Sequence, residues 1–237
     1  MKARQHIAVV EQNNATGRVS YWQRDANQSV ADARGVSLAD YIHAMYFFVR
    51  KAKARNVLMI GCGGGTLATM LTRARVRVTL VDNDPASFAI ARRYFHLPAS
   101  VACHAADGRA FLKHNRRRYD AIVLDAYVDG AVPRQLCTAA FFDLVKSRLR
   151  PRRGIFLVNL LVASDGDRTP DRTARRMART WPQVRLLDAD GWDDRNAVAL
   201  AGAVADLPRP RLLRKPQRCA RKIAAGLRAL DFRALRA

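Results

Sequence analysis

Three aspartates close three successive apolar runs. Asp82 ends "RVTLVD", Asp107 follows "SVACHAA", and Asp125 ends "YDAIVLD". Ahead of them, "NVLMIGCGGGTLATML" places four glycines within five residues, Gly61 and Gly63 to Gly65, between an apolar run and a helical pattern. Glycine tolerates positive φ and lets another group approach the backbone closely. A helix starting at such a turn aims unsatisfied N–H groups at it. Asp82 lies 21 residues after Gly61, the offset at which an acid meets ribose hydroxyls in nucleotide-binding β-α-β units. Thr66 stands where a dinucleotide fingerprint has its third glycine, and no Walker lysine follows the glycines. Serial acids suit an adenosyl nucleotide instead: Asp82 on the ribose, Asp107 on the adenine amino group, and Asp125 facing the reacting centre.

These residues need a frame. From Val57 onward, short bulky runs alternate with amphipathic stretches such as "DPASFAIARRYF" and "RQLCTAAFFDLVKSRLR". The runs are almost continuously apolar, as parallel strands buried on both faces require. The expected fold class is therefore α/β: a doubly wound, mostly parallel seven-stranded, Rossmann-like sheet with a small N-terminal β appendage. "HIAVVEQ", "GRVSYWQRD" and "NQSVAD" read as the strands of that appendage, with turns at Asn13–Gly17 and Asp25–Asn27. "SLADYIHAMYFFVRKA" reads as a helix capped by Ser37. Three regions result: 1–36, a small β region; 37–206, the nucleotide-binding transferase domain; and 207–237, a basic helical tail packed by Ile223, Leu227 and Leu230.

Composition narrows the classes. The chain has 237 residues, 49% of them apolar, which is enough for a substantial core. No run reaches the ~18 apolar residues of a membrane span, so a cytoplasmic protein without membrane contact is expected. The four cysteines, Cys62, Cys103, Cys137 and Cys219, form no metal-binding spacing, and no metal is expected. The net charge of +22 implies nonspecific nucleic acid contact through the surface. The tail from Leu207 alone carries ten Lys and Arg against one acid, Asp231. Association into a homodimer is left open.

The motifs "GCGGGTLATML", "VTLVDNDPASFAIARRYF", "HAADGRAFL" and "YDAIVLDAYVDGAVPRQLCTAAFFDLVKSRLRPRRGIFLVNL" resemble the spermidine synthase-like family within the class I S-adenosylmethionine-dependent transferase fold. The resemblance covers about Val57 to Leu160 and extends weakly to "YWQRDANQSV". It implies that Gly61, Gly63, Asp82, Asp107, Gly108 and Gln28 bind the nucleotide, either S-adenosylmethionine or its decarboxylated form, and the glycine turn itself adds Gly65 to that expected set. It also implies that Asp125 is the first aspartate of a D-S-T-D-P active-site motif and that Tyr41 is an active-site tyrosine. Tyr127 is expected beside Asp125 as a hydrogen-bonding group. The implied acceptor is a small-molecule amine. Two positions depart from the pattern: Gly64 replaces the aspartate of G-G-G-D-G-G, and Val128 takes the place of the second aspartate of D-S-T-D-P, with Asp129 one residue on. Methyl transfer to another acceptor, and a non-catalytic protein that binds nucleic acid, are the competing readings.

Overall fold

The computed structural model describes residues 8–23, 26–128 and 130–236. Asp129, Asp25 of the second expected turn, and His6 and Ile7 of the first expected strand lie outside the described residues.

Three strands, β1 (Ala8–Asn13), β2 (Arg18–Gln23) and β3 (Ala26–Ala31), form an antiparallel meander. The chain then enters α1 (Asp40–Lys51). Ser37 does not cap this helix. Its Oγ accepts from the Ala39 N–H (3.1 Å), and the helix begins three residues further on.

The main sheet follows, built from β4 (Asn56–Ile60), β5 (Arg77–Asp82), β6 (Ala102–Ala105), β7 (Ala121–Leu124), β8 (Ile155–Val162), β9 (Val184–Asp188) and β10 (Arg195–Gly202). The intervening helices are α2 (Thr66–Arg73), α3 (Pro85–Tyr94), α4 (Gly108–His114), α5 (Ala139–Arg148) and α6 (Thr169–Ala178), and α7 (Ala220–Ala229) follows the sheet. An eighth strand, β11 (Asp231–Arg233), joins the expected seven, because the tail returns after α7 and pairs antiparallel with β9. The order is β11-β9-β10-β8-β7-β4-β5-β6. From β8 to β6 all pairings are parallel, and β10 runs against both its neighbours.

Alternate side chains of the central strands feed two cores. Val57, Met59, Val78, Leu80 and Val123 pack under α1, α2, α3 and α7. Leu58, Ile60, Val81, Ile122 and Leu124 pack under α4, α5 and α6. Burial on both faces is why these strands lack a polar alternation. β4 lies between β5 and β7, so successive crossovers leave it in opposite directions. That is the switch point where doubly wound sheets open a crevice at their strand C-termini.

Candidate active site

The crevice is a cavity of about 880 Å³ at that edge. Gly61 shows why glycine is needed there. Its φ is +98°, and a Cβ would lie 2.0 Å from the Asp125 carbonyl oxygen. Three strand ends knit together around it: the Gly61 N–H donates to Val81 O (2.9 Å) and the Asp125 N–H donates to Ile60 O (2.8 Å). The turn then climbs into α2, whose N-cap is Gly65.

Asp82 organises this turn as well as facing the cavity. Its Oδ2 accepts from the Cys62 N–H (2.7 Å) and its Oδ1 from the Asp84 N–H (2.9 Å). Burial pushes its carboxyl upward, and these hydrogen bonds act in the opposite direction. Asp107 caps α4 through Oδ1, which accepts from the Ala110 N–H (2.8 Å). An ionised carboxylate has about four lone-pair sites, so both aspartates retain capacity for hydroxyl or amino donors.

Asp125 begins the loop after β7. Burial raises its carboxyl, the hydrogen bond from Asn159 opposes that rise, and the net value is about 6. Asn159 Nδ2 donates to Asp125 Oδ1 (2.8 Å), and Asn196 Nδ2 donates to Asn159 Oδ1 (3.0 Å). Tyr41 from α1 and Tyr127 from the same loop flank the carboxylate. Both phenols are pushed well above their ordinary value, first by burial and then by the Asp125 charge. The Tyr127 hydroxyl is buried near the Leu161 backbone without a well-formed hydrogen bond.

The cavity brings together Tyr41, Asp125 and Tyr127 with Gln28, Gly61, Gly63, Asp82, Asp107 and Gly108. Gly65 stands behind them. A Cβ there would meet Ala91 and Leu97, so its glycine serves the turn and the helix start rather than the cavity wall. Gly108 has a packing role too, since a Cβ would lie 2.4 Å from Ile60 Cγ2. β3 lies against the glycine turn, where Ser29 Oγ accepts from the Gly64 N–H (2.8 Å) and Gln28 lines the wall beside it.

At Gly64, a Cβ would lie 2.8 Å from Ser29 Cβ and 3.0 Å from the Phe95 ring. The space where an aspartate side chain would start is filled. Val128 is 54% exposed at the cavity rim.

Sequence reasoning missed Asn159, Asn196 and Ser29. Asn159 had a readable signal, being the single polar residue in "IFLVNLLV", and it is buried. Asn196 and Ser29 had none. Among the described lining residues, four are aspartates, Asp82, Asp84, Asp107 and Asp125, and none is Lys, Arg or His. The chain carries 42 Lys and Arg, and none of them is among the described residues that line the cavity. No cluster of three or more metal-ligating residues occurs among the described residues, and no helix among them is long and apolar enough to cross a membrane.

The fold is that of the class I methyltransferases, and residues 57–151 match a protein-family model described as a methyltransferase domain. In sequence the chain is similar to polyamine aminopropyltransferases over about half of its length. It is 36% identical over 115 residues to a probable polyamine aminopropyl transferase of Bifidobacterium longum, covering 48% of this chain and 26% of that protein. An N-terminal histidine N-methyltransferase of Emericella nidulans is 33% identical over 109 residues, covering 44% of this chain and 19% of that one. The match therefore spans about a quarter or less of these relatives' length. In three dimensions the chain is similar to a probable spermidine synthase from Corynebacterium glutamicum, with a TM-score of 0.77 at 15% identity, covering 99% of this chain and 90% of that one.

Proposed function

We propose that the protein transfers an alkyl group, aminopropyl by preference, from the sulfonium of a decarboxylated S-adenosylmethionine-type nucleotide to a small amine. The observation that carries this reading is the charge of the cavity: among its described lining residues are four aspartates and no cationic side chain, in a protein of net charge +22. A sulfonium, an ammonium on the donor and an amine acceptor all suit such a site. The carboxylate of intact S-adenosylmethionine finds no cationic side chain among the described lining residues. An anionic acceptor is disfavoured for the same reason.

Gly61, Gly63, Asp82, Asp107, Gly108 and Gln28 would hold the adenosyl part. The donor supplies a carbon activated by its bond to positive sulfur. The acceptor nitrogen attacks in line, the C–N bond forms as the C–S bond breaks, and the electron pair leaves on a neutral thioether. An amine of pKa near ~10 must lose a proton in the process. Asp125, ionised above about pH 6, is positioned to take it. Tyr41 and Tyr127 stay protonated and can orient the nitrogen.

Methyl transfer is the second reading. The filled space at Gly64 favours it, since an ammonium-anchoring aspartate cannot be accommodated there. Calorimetric titration with S-adenosylmethionine, its decarboxylated form and methylthioadenosine tests the choice. Tighter binding of the decarboxylated donor than of S-adenosylmethionine supports aminopropyl transfer; the reverse order supports methyl transfer.

A further inference from the structure

We infer that Asn159 and Asn196 form a two-amide relay that positions Asp125 and ties its charge state to the face that Asn196 presents to the cavity. The inference rests on the reading of Asp125 as the base. It starts from donor and acceptor counting. An ionised carboxylate only accepts hydrogen bonds, so Asn159 must turn Nδ2 toward it. That turns Asn159 Oδ1 the other way, where it needs a donor, and Asn196 Nδ2 supplies one at 3.0 Å. Asn159 is 1% exposed, so a wrongly turned amide would be left unsatisfied there. Asn196 is half-buried and lines the cavity. Its Oδ1 takes no hydrogen bond from the described residues and is free to accept from an N–H of the acceptor.

Reversal follows from the same counting. A protonated Asp125 can donate to Asn159 Oδ1; Asn159 Nδ2 then donates to Asn196 Oδ1, and Asn196 shows its NH₂ instead. The carbonyl face that suits an amine is thus presented when the base is ionised and ready. The strands supply the geometry: Asn159 on β8 lies across from Val198, and Asn196 across from Leu161, so the two amides meet diagonally on one face of an antiparallel pair.

The groups facing Asp125 are Tyr41 from α1, Tyr127 from its own loop and Asn159 from β8. Asp82 and Asp107 lie further along the cavity wall, and Cys137 faces Tyr127. Both phenols are neutral across the working range, so Asn159 is the group that offsets the burial of the carboxylate.

The test follows the ionisation of Asp125 itself, through its carboxyl infrared band, taken as the difference against Asp125→Asn. This readout needs no turnover. In Asn159→Leu the midpoint should rise by about one pH unit or more, as befits a buried carboxyl losing its donor. Asn159→Gln, which keeps the donor, should bring it back toward the wild-type value. Asn196→Ala, at a half-buried position, should raise it by less and should weaken the KM for the amine more than kcat. A midpoint unchanged in Asn159→Leu, or in Asn196→Ala where the first variant does not fold, overturns the relay. If the wild-type protein transfers nothing to any amine, the proposed function fails while the band titration still decides the relay.

Discussion

Asp125 and Asp82 divide the work at the scale of single residues, and their surroundings say how. Asp125 accepts from Asn159 and has a raised carboxyl; Asp82 accepts from the Cys62 and Asp84 N–H groups and holds the glycine turn. Asp125→Asn keeps the shape but cannot take a proton. Turnover should fall by about 10²- to 10⁴-fold while nucleotide affinity, read by calorimetry, stays within a few-fold. The wild-type kcat/KM should drop as pH falls through about 6, because the free enzyme's base is then protonated. Asp82→Ala should instead cost about 1.5 to 3 kcal/mol of nucleotide binding, the usual value of a hydrogen bond to a charged group. Unchanged affinity in that variant would remove Asp82 from the ribose contact.

Among the elements, the junction of β4, β5 and β7 fixes the site. Gly61→Ala would force a Cβ onto the Asp125 carbonyl at a φ that L-residues rarely adopt. Strain of about 1 to 3 kcal/mol, with the clash added, should lower the melting temperature and loosen nucleotide binding together. Normal stability in that variant would contradict the close approach. These elements were legible in the sequence because local signals and tertiary need agree: apolar runs for doubly buried strands, glycines for the turn, and aspartates at strand ends. One departure is a local cap, and the others depend on contacts distant in sequence. "RQLCTAAFFDLVKSRLR" reads as one helix, yet Thr138 caps at the Phe141 N–H, so α5 begins at Ala139 after a separate turn at Arg134–Leu136. Asn196 gains its meaning only when β10 pairs with β8, which no local pattern announces. Gly64 replaces an aspartate of the family pattern, and Ser29 and Phe95, which occupy the space its side chain would need, come from distant segments.

At the scale of the whole molecule, the basic tail is tied to the sheet. Arg233 on β11 bridges Asp171 (2.8 Å) and Asp188 (2.9 Å), whose side chains are both fully buried, and Arg195 also bonds Asp188 (2.8 Å). Burial alone would raise both carboxyls; the arginine hydrogen bonds outweigh it, so both are lowered. Their stabilisation is complete above the ordinary aspartate value near ~3.9 and is lost as pH falls below it. Arg233→Ala takes the guanidinium away from buried Asp171, while Asp188 keeps Arg195, and should cost about 3 kcal/mol at neutral pH, with the deficit shrinking toward pH 3 in thermal melts. The remaining positive charge should give nucleic acid binding that weakens steeply between ~50 and ~200 mM salt; binding undiminished over that range would contradict a counterion-release origin. That surface charge makes the cavity, with no cationic side chain among its described lining residues, the most informative contrast in the molecule. The direct test of its meaning is one incubation of the protein with both S-adenosylmethionine and its decarboxylated form and a set of linear diamines, with the released thioether nucleoside identified by mass. Methylthioadenosine appearing together with an aminopropylated amine is the expected result. Release of S-adenosylhomocysteine with a methylated product would contradict the account.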